Sequence, residues 1–109
     1  MRFKEVKPTI VAALDCAAIC RHCAVSCLKE EETDVKMMTR CIHLDLVCAA
    51  LCGAAAELMS LDSNHSKEIC QLCAEACEEC AKECRKHDTE HCQMCADACE
   101  KCASVCREV

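Results

Sequence analysis

The sequence predicts an all-α fold: an antiparallel up-down-up-down four-helix bundle with a Cys-lined core. Three observations carry that expectation. The 17 cysteines recur at steps of three and four residues, the a/d seam of a helix bundle. A single Gly and a single Pro in 109 residues leave little material for tight hairpins. Short polar breaks separate four periodic segments, and short connections make antiparallel neighbours. The chain reads as one domain spanning 1–109.

Helix 1 is expected over 8–29, with Pro8 in the first turn, where its missing N–H is not needed. Glu30, Glu31, Glu32 and Thr33 interrupt the pattern, and Thr33 or Asp34 caps helix 2, expected over 34–60. The segment Leu61–His65 is rich in capping side chains, so Ser63 or Asn64 precedes helix 3 at 65–86. A tight turn at His87, Asp88 and Thr89 leads into helix 4 at 89–107. The phrase from Cys70 to Ala81 returns 22 residues later from Cys92 to Ala103, and Cys16 to Ala24 carries a shorter version. A copied unit puts the same positions inward in each copy.

Composition says what fills the interior. Cys and Ala supply 33 of the 58 apolar residues, whereas Leu, Ile, Val and Phe number only 20, so the core must be largely sulfur. A formal charge of −6 and the lack of Trp and Tyr argue against a nucleic-acid partner. The N-terminal residues contain no secretory h-region. The longest uncharged apolar run, Leu46–Ala56, has 11 residues, short of the roughly 20 that span a bilayer. A cytoplasmic protein without a membrane partner is the expectation. Thiols stay reduced there, and dense cysteines then point to metal or redox chemistry rather than a disulfide scaffold.

The stripes decide between these. Helix 1 carries Cys16, Cys20, Cys23 and Cys27; helix 2 carries Cys41, Cys48 and Cys52, with Asp45 at the missing step. Helix 3 carries Cys70, Cys73, Cys77, Cys80 and Cys84, and helix 4 carries Cys92, Cys95, Cys99, Cys102 and Cys106. Cys-x-x-x-Cys occurs seven times. Side chains at i and i+4 stack on one helix face, where two sulfurs can hold one small cation but fit a disulfide badly. Soft thiolates select Cu(I), zinc or iron–sulfur clusters. Monovalent ions at about one per thiolate would leave a dry interior neutral, whereas four-thiolate zinc sites would each keep two uncompensated charges. The expected cargo is therefore multiple Cu(I) ions held by all 17 cysteines.

The four stripes, the repeated Cys-x-x-x-Cys phrase and the segment Arg40-Cys41-Ile42-His43-Leu44-Asp45-Leu46-Val47-Cys48 resemble the cytosolic branch of the cysteine-rich four-helix-bundle copper storage proteins, over about residues 9 to 107. The resemblance implies a bundle filled along its axis with Cu(I), a homotetramer, and storage or detoxification without catalysis. With three cysteines in helix 2, the capacity is expected to fall below that of richer members.

The antiparallel arrangement places Cys27, Cys41, Cys84 and Cys92 at one level, with Met37, Met38, His87 and His91 beyond them. These four and Asp45 are the candidates for metal entry, imidazole and thioether exchanging faster than buried thiolate. The opposite end, with Ile10, Ala13, Ala55, Ala56 and Met59, reads as an apolar plug. His22 and His43 fall off the stripe and are read as surface residues; His65 is read as a cap-region residue. Helix 2 is apolar nearly all round, so helices 1 and 2 are the expected interface of a homo-oligomer. A copper chaperone is the other expected partner. Two further readings stay open: a metallothionein-like zinc or cadmium buffer, and a thiol redox or iron–sulfur protein. Cys-x-x-Cys occurs only inside helices, without the proline-terminated cluster motif or a βαβ setting. No nucleophile–base pair stands apart from the stripe, so no enzyme is expected.

Overall fold

The structure, a computed structural model, describes residues 3–29 and 35–109. Four helices follow one another: α1 (Phe3–Lys29), α2 (Val35–Ser60), α3 (Ser66–Cys84) and α4 (Glu90–Cys106). They pack as a square in which α1 meets α2 and α4, and α3 meets α2 and α4. The body measures 47 × 17 × 17 Å, a rod one helix pair wide. The all-α bundle expected from the cysteine period is the fold observed.

Helix ends differ from expectation in instructive ways. α1 begins at Phe3, so Pro8 lies inside the helix rather than in its first turn. Pro8 costs one backbone bond, and the residues around the freed Lys4 carbonyl are exposed, so water can take its place. Thr33 and Asp34 lie outside the described residues. α3 starts one residue later than expected, and its N-cap, His65, makes no side-chain cap bond. Ser63 instead accepts the His65 N–H at 3.0 Å, tightening the turn before the helix. α2 closes with the Ser63 N–H on Leu58 O at 3.0 Å and the Asp62 N–H on Met59 O at 3.1 Å, a Schellman closure with Asp62 left-handed at φ 54°. α4 has a side-chain cap: Thr89 Oγ1 accepts the Cys92 N–H at 3.3 Å.

The core is the cysteine stripe packed round mainly with alanine. All 17 cysteines are buried and none forms a disulfide. Ala13, Ala74 and Ala96 fill gaps beside them, small enough for the helices to approach closely. Ile10, Ala13, Ala55, Ala56 and Met59, the residues read as a plug, are buried, and Val6 joins them. α1 and α2 each contain an 18-residue window apolar enough to cross a membrane by length and composition. The longest unbroken apolar run had given no hint of this. In each window 44% of the residues are packed inside the bundle, and the cysteines and alanines of the core supply much of the apolarity.

Outside, the two halves differ. α3 and α4 are tied by ions: Arg85 reaches Asp97 at 2.6 Å and Glu100 at 2.9 Å, and Arg107 reaches Glu78 at 2.7 Å. α1 and α2 instead expose Val11, Leu14, Leu46 and Val47. The apolar surface of α2 is narrower than its sequence suggests, because Leu44 and Ala49 pack inside the bundle.

Candidate metal centre

The 3–4 spacing turns four rows of sulfur onto one axis, and the rows interleave into a column. Near one end Cys41 and Cys84 are 3.5 Å apart and Cys27 and Cys92 are 3.8 Å apart. Further in, Cys20 lies 3.7 Å from both Cys95 and Cys99. Cys48 and Cys77 approach to 3.4 Å, and Cys73 and Cys52 to 3.5 Å. Cys102 and Cys106, at 3.8 Å, continue the column toward the plug. Five of the seven Cys-x-x-x-Cys pairs hold their sulfurs 3.8–4.0 Å apart.

These contacts group into overlapping cages. Cys16, Cys20, Cys48 and Cys99 form one set of ligand atoms within 4.8 Å of one another, and Cys16, Cys52, Cys77 and Cys102 form another. Cys16 therefore belongs to both. Cys20, Cys80, Cys95 and Cys99 form a third, sharing Cys20 and Cys99 with the first. Shared corners mean that each thiolate can bridge two ions, so the column suits a continuous chain of metal better than isolated tetrahedra. With bonds of roughly 2.3 Å, as in zinc thiolates, sulfurs sit about 4.0 Å apart around a trigonal ion and about 4.6 Å apart across a linear one. The contacts near 4.0 Å suit three-coordination directly, whereas a linear pair needs to open by roughly 0.6 to 1.2 Å.

Burial opposes ionisation of the thiols in this column. Desolvation pushes the Cys27 thiol well up, and Cys92 and Cys41 beside it push the same way. Each ligand must lose its proton to bind, so loading exchanges protons for cations.

Asp45 is fully buried in the column, not at the bundle edge. Its Oδ1 accepts thiol protons from Cys80 at 3.1 Å, Cys95 at 3.3 Å and Cys84 at 3.7 Å. Its Oδ2 has no hydrogen-bond partner among the described residues. Burial first, then the neighbouring Cys95 and Cys80, push its carboxyl up to about 10, so it is neutral at physiological pH. Asp45 also shares a cage with Cys23, Cys27 and Cys41.

The five entry candidates divide. His91 Nε2 lies 3.5 Å from Cys27 Sγ and 3.3 Å from Thr89 Oγ1, and it forms a cage with Cys23, Cys27 and Cys92. His87 is held by Glu83, whose Oε2 lies 2.9 Å from its Nε2. Glu83 is almost buried and also takes Arg40 at 3.5 Å and Lys86 at 3.4 Å, linking α2 to α3 beneath the rim. Met38 is 1% exposed, a core residue, whereas Met37 is 67% exposed. His22 and His43 are on the surface, as their register predicts. His65 is exposed and 3.6 Å from Glu68. Sequence reasoning missed Glu83 and Thr89, although Glu83 and His87 stand at the i,i+4 spacing that pairs side chains.

Fold and column together define a class: a helical bundle whose interior is a chain of thiolate cages for soft metal ions. Residues 3–109 match the family described as copper storage protein, and the chain belongs to that family. It is 44% identical to the Cu(I)-bound copper storage protein BsCsp3, with a TM-score of 0.90 over 98% of this chain and 97% of that one. It is 37% identical to a cytosolic copper storage protein from Streptomyces lividans loaded with five coppers, with a TM-score of 0.89 over 97% and 92% of the two chains. The uncharacterized cysteine-rich protein YhjQ of Bacillus subtilis (strain 168) is 48% identical over 79 residues, 72% of this chain and 71% of that protein.

Proposed function

We propose that the bundle stores multiple Cu(I) ions as a chain of thiolate-bridged sites running from the Cys27/Cys92 end to Cys70 and Cys106. The observation that carries this is the sharing of Cys16, Cys20 and Cys99 between cages, because shared thiolates balance charge ion by ion along the axis. All 17 cysteines are the proposed ligands. Asp45, kept neutral by its burial, is a proposed oxygen donor in the α2 stripe. The role is binding, without a chemical step, in keeping with a family named for storage.

Entry is proposed at the end that carries His91. Its imidazole already touches Cys27, so an ion caught there is one ligand exchange from two thiolates. Met37, exposed at the same end, is a transient ligand in this reading. His87 is a lesser one, its Nε2 occupied by Glu83. Met38 serves packing. The other end is sealed by the plug, and exchange there would require separating packed helices.

The cytosol is the proposed location, where reduced thiols persist and where the Streptomyces relative is placed by its description. Assembly as a homotetramer through the apolar faces of α1 and α2 is proposed on the exposed Val11, Leu14, Leu46 and Val47. A copper chaperone is the proposed donor. Anaerobic titration of the reduced metal-free protein with Cu(I) against a chromophoric chelator tests the reading. Uptake of many ions at a ratio near one per thiol supports it; saturation at four or fewer, or retention of zinc against Cu(I), overturns it.

A further inference from the structure

The two copies of the repeat differ where it matters for access. The offset of 22 residues that maps Cys70 onto Cys92 also maps Ile69 onto His91 and Leu72 onto Met94. Ile69 packs against the core near the plug, and Leu72 borders an apolar groove with Leu44, Val47 and Leu51. In the second copy the same two positions carry an imidazole and a thioether. They line a cleft of about 310 Å³ between α1 and α4, together with His22, Ser26 and Glu90. Leucine and isoleucine would serve packing as well there as they do in the first copy; the exchange puts two soft donors in their place.

Register explains why the cleft lies where it does. Cys23 meets Cys92 at 3.9 Å and Cys95 meets Cys20 at 3.7 Å across the α1/α4 seam. His22 and Met94 sit beside these pairs in sequence and therefore at their level, one position round each helix toward solvent. His22 is exposed, with Nε2 3.5 Å from Ser26 Oγ, and Met94 is 41% exposed. His91 stands deeper in the cleft, against Cys27. Glu90 adds a carboxylate that favours a cation.

We propose that this cleft is an outer capture site for a soft monovalent ion, with His22 and Met94 as its donors and His91 as the residue that passes the ion to Cys27 and Cys92. This rests on the entry reading above and gives it a lateral path through the α1/α4 seam. The step is ligand exchange without change of oxidation state. Bonds from the ion to imidazole and thioether break, bonds to two sulfurs form, and each thiol that becomes a thiolate releases its proton to water.

The test compares anaerobic loading of the full, reduced protein by Cu(I) supplied as its acetonitrile complex, followed by charge-transfer absorbance. A His22→Ala/Met94→Leu double variant is expected to load roughly tenfold more slowly, the low end of what outer partners of metal ligands contribute. The copper it retains against a chelator and its thermal melt should match the wild type, since both residues are exposed and every thiol remains. A second measurement adds one equivalent of Cu(I) to the copper-saturated protein and reads the His22 ring and Met94 methyl signals by NMR; both should shift. Wild-type loading by the double variant, beside slow loading by His91→Ala, overturns the cleft and leaves the entry reading standing. Wild-type rates in both variants overturn both. Unshifted His22 and Met94 signals also overturn the capture site.

Discussion

Asp45 Oδ1 accepts the Cys80 thiol at 3.1 Å, which places a carboxyl group at a seam position where the rest of the stripe carries sulfur. Its proton is held because the surrounding column desolvates charge and adds thiols on both sides. The sign of the consequence follows from proton counting. Between the ordinary carboxyl value of 3.8 and about 10, folded Asp45 keeps a proton that the unfolded chain releases. The associated stability is complete below about pH 4 and is lost as pH rises toward 10, by at most about 1.4 kcal/mol per pH unit. Melting temperatures of the metal-free protein should therefore fall between pH 5 and pH 8. Asp45→Asn keeps the carbonyl acceptor without the ionisation, and its melting temperature should vary less over that window. Parallel curves for the two proteins would remove the argument.

Cysteines should not contribute equally to copper capacity. Cys16 belongs to two cages, whereas Cys70 lies toward the plug end of the column. Cys16→Ser should lower the copper bound at saturation more than Cys70→Ser does, measured by metal analysis after chelator competition. Equal losses would mean that the thiolates act as independent sites.

Thr89 does two things with one oxygen: it caps α4 through the Cys92 N–H and touches His91 Nε2. Thr89→Val should cost about 1 kcal/mol as a lost cap. It should also slow Cu(I) loading, because His91 loses the neighbour that fixes its ring beside Cys27. A variant destabilised to that extent but loading at the wild-type rate would confine Thr89 to the cap.

Asp62 holds a left-handed backbone at the end of α2. A residue with a Cβ pays about 1–2 kcal/mol for that conformation, and glycine does not. Asp62→Gly should raise the melting temperature of the metal-free protein while leaving copper binding unchanged, since the turn lies beyond the plug. A lower melting temperature would show that Asp62 makes compensating contacts.

Much of this molecule was written along the chain. Steps of three and four match the turn of an α-helix, so they alone bring Cys70, Cys73, Cys77, Cys80 and Cys84 onto one face. The small stock of Leu, Ile and Val leaves no other core. Antiparallel order then sets which sulfurs share a level, and the pairing of Cys27 with Cys92 was legible for that reason. Register likewise put His22 and His43 on the surface.

Other features needed the helices to be packed. Whether Asp45 lay in the column or at its edge depended on how α2 is rotated, and one residue's turn separates the two. Met37 and Met38 are neighbours of the same type, and only the packed bundle buries one and exposes the other. His87 looked equivalent to His91 until Glu83 took its ring nitrogen. A chain's period specifies faces, because local geometry repeats; it cannot say which atoms meet across a seam, because that depends on distances between segments far apart in sequence.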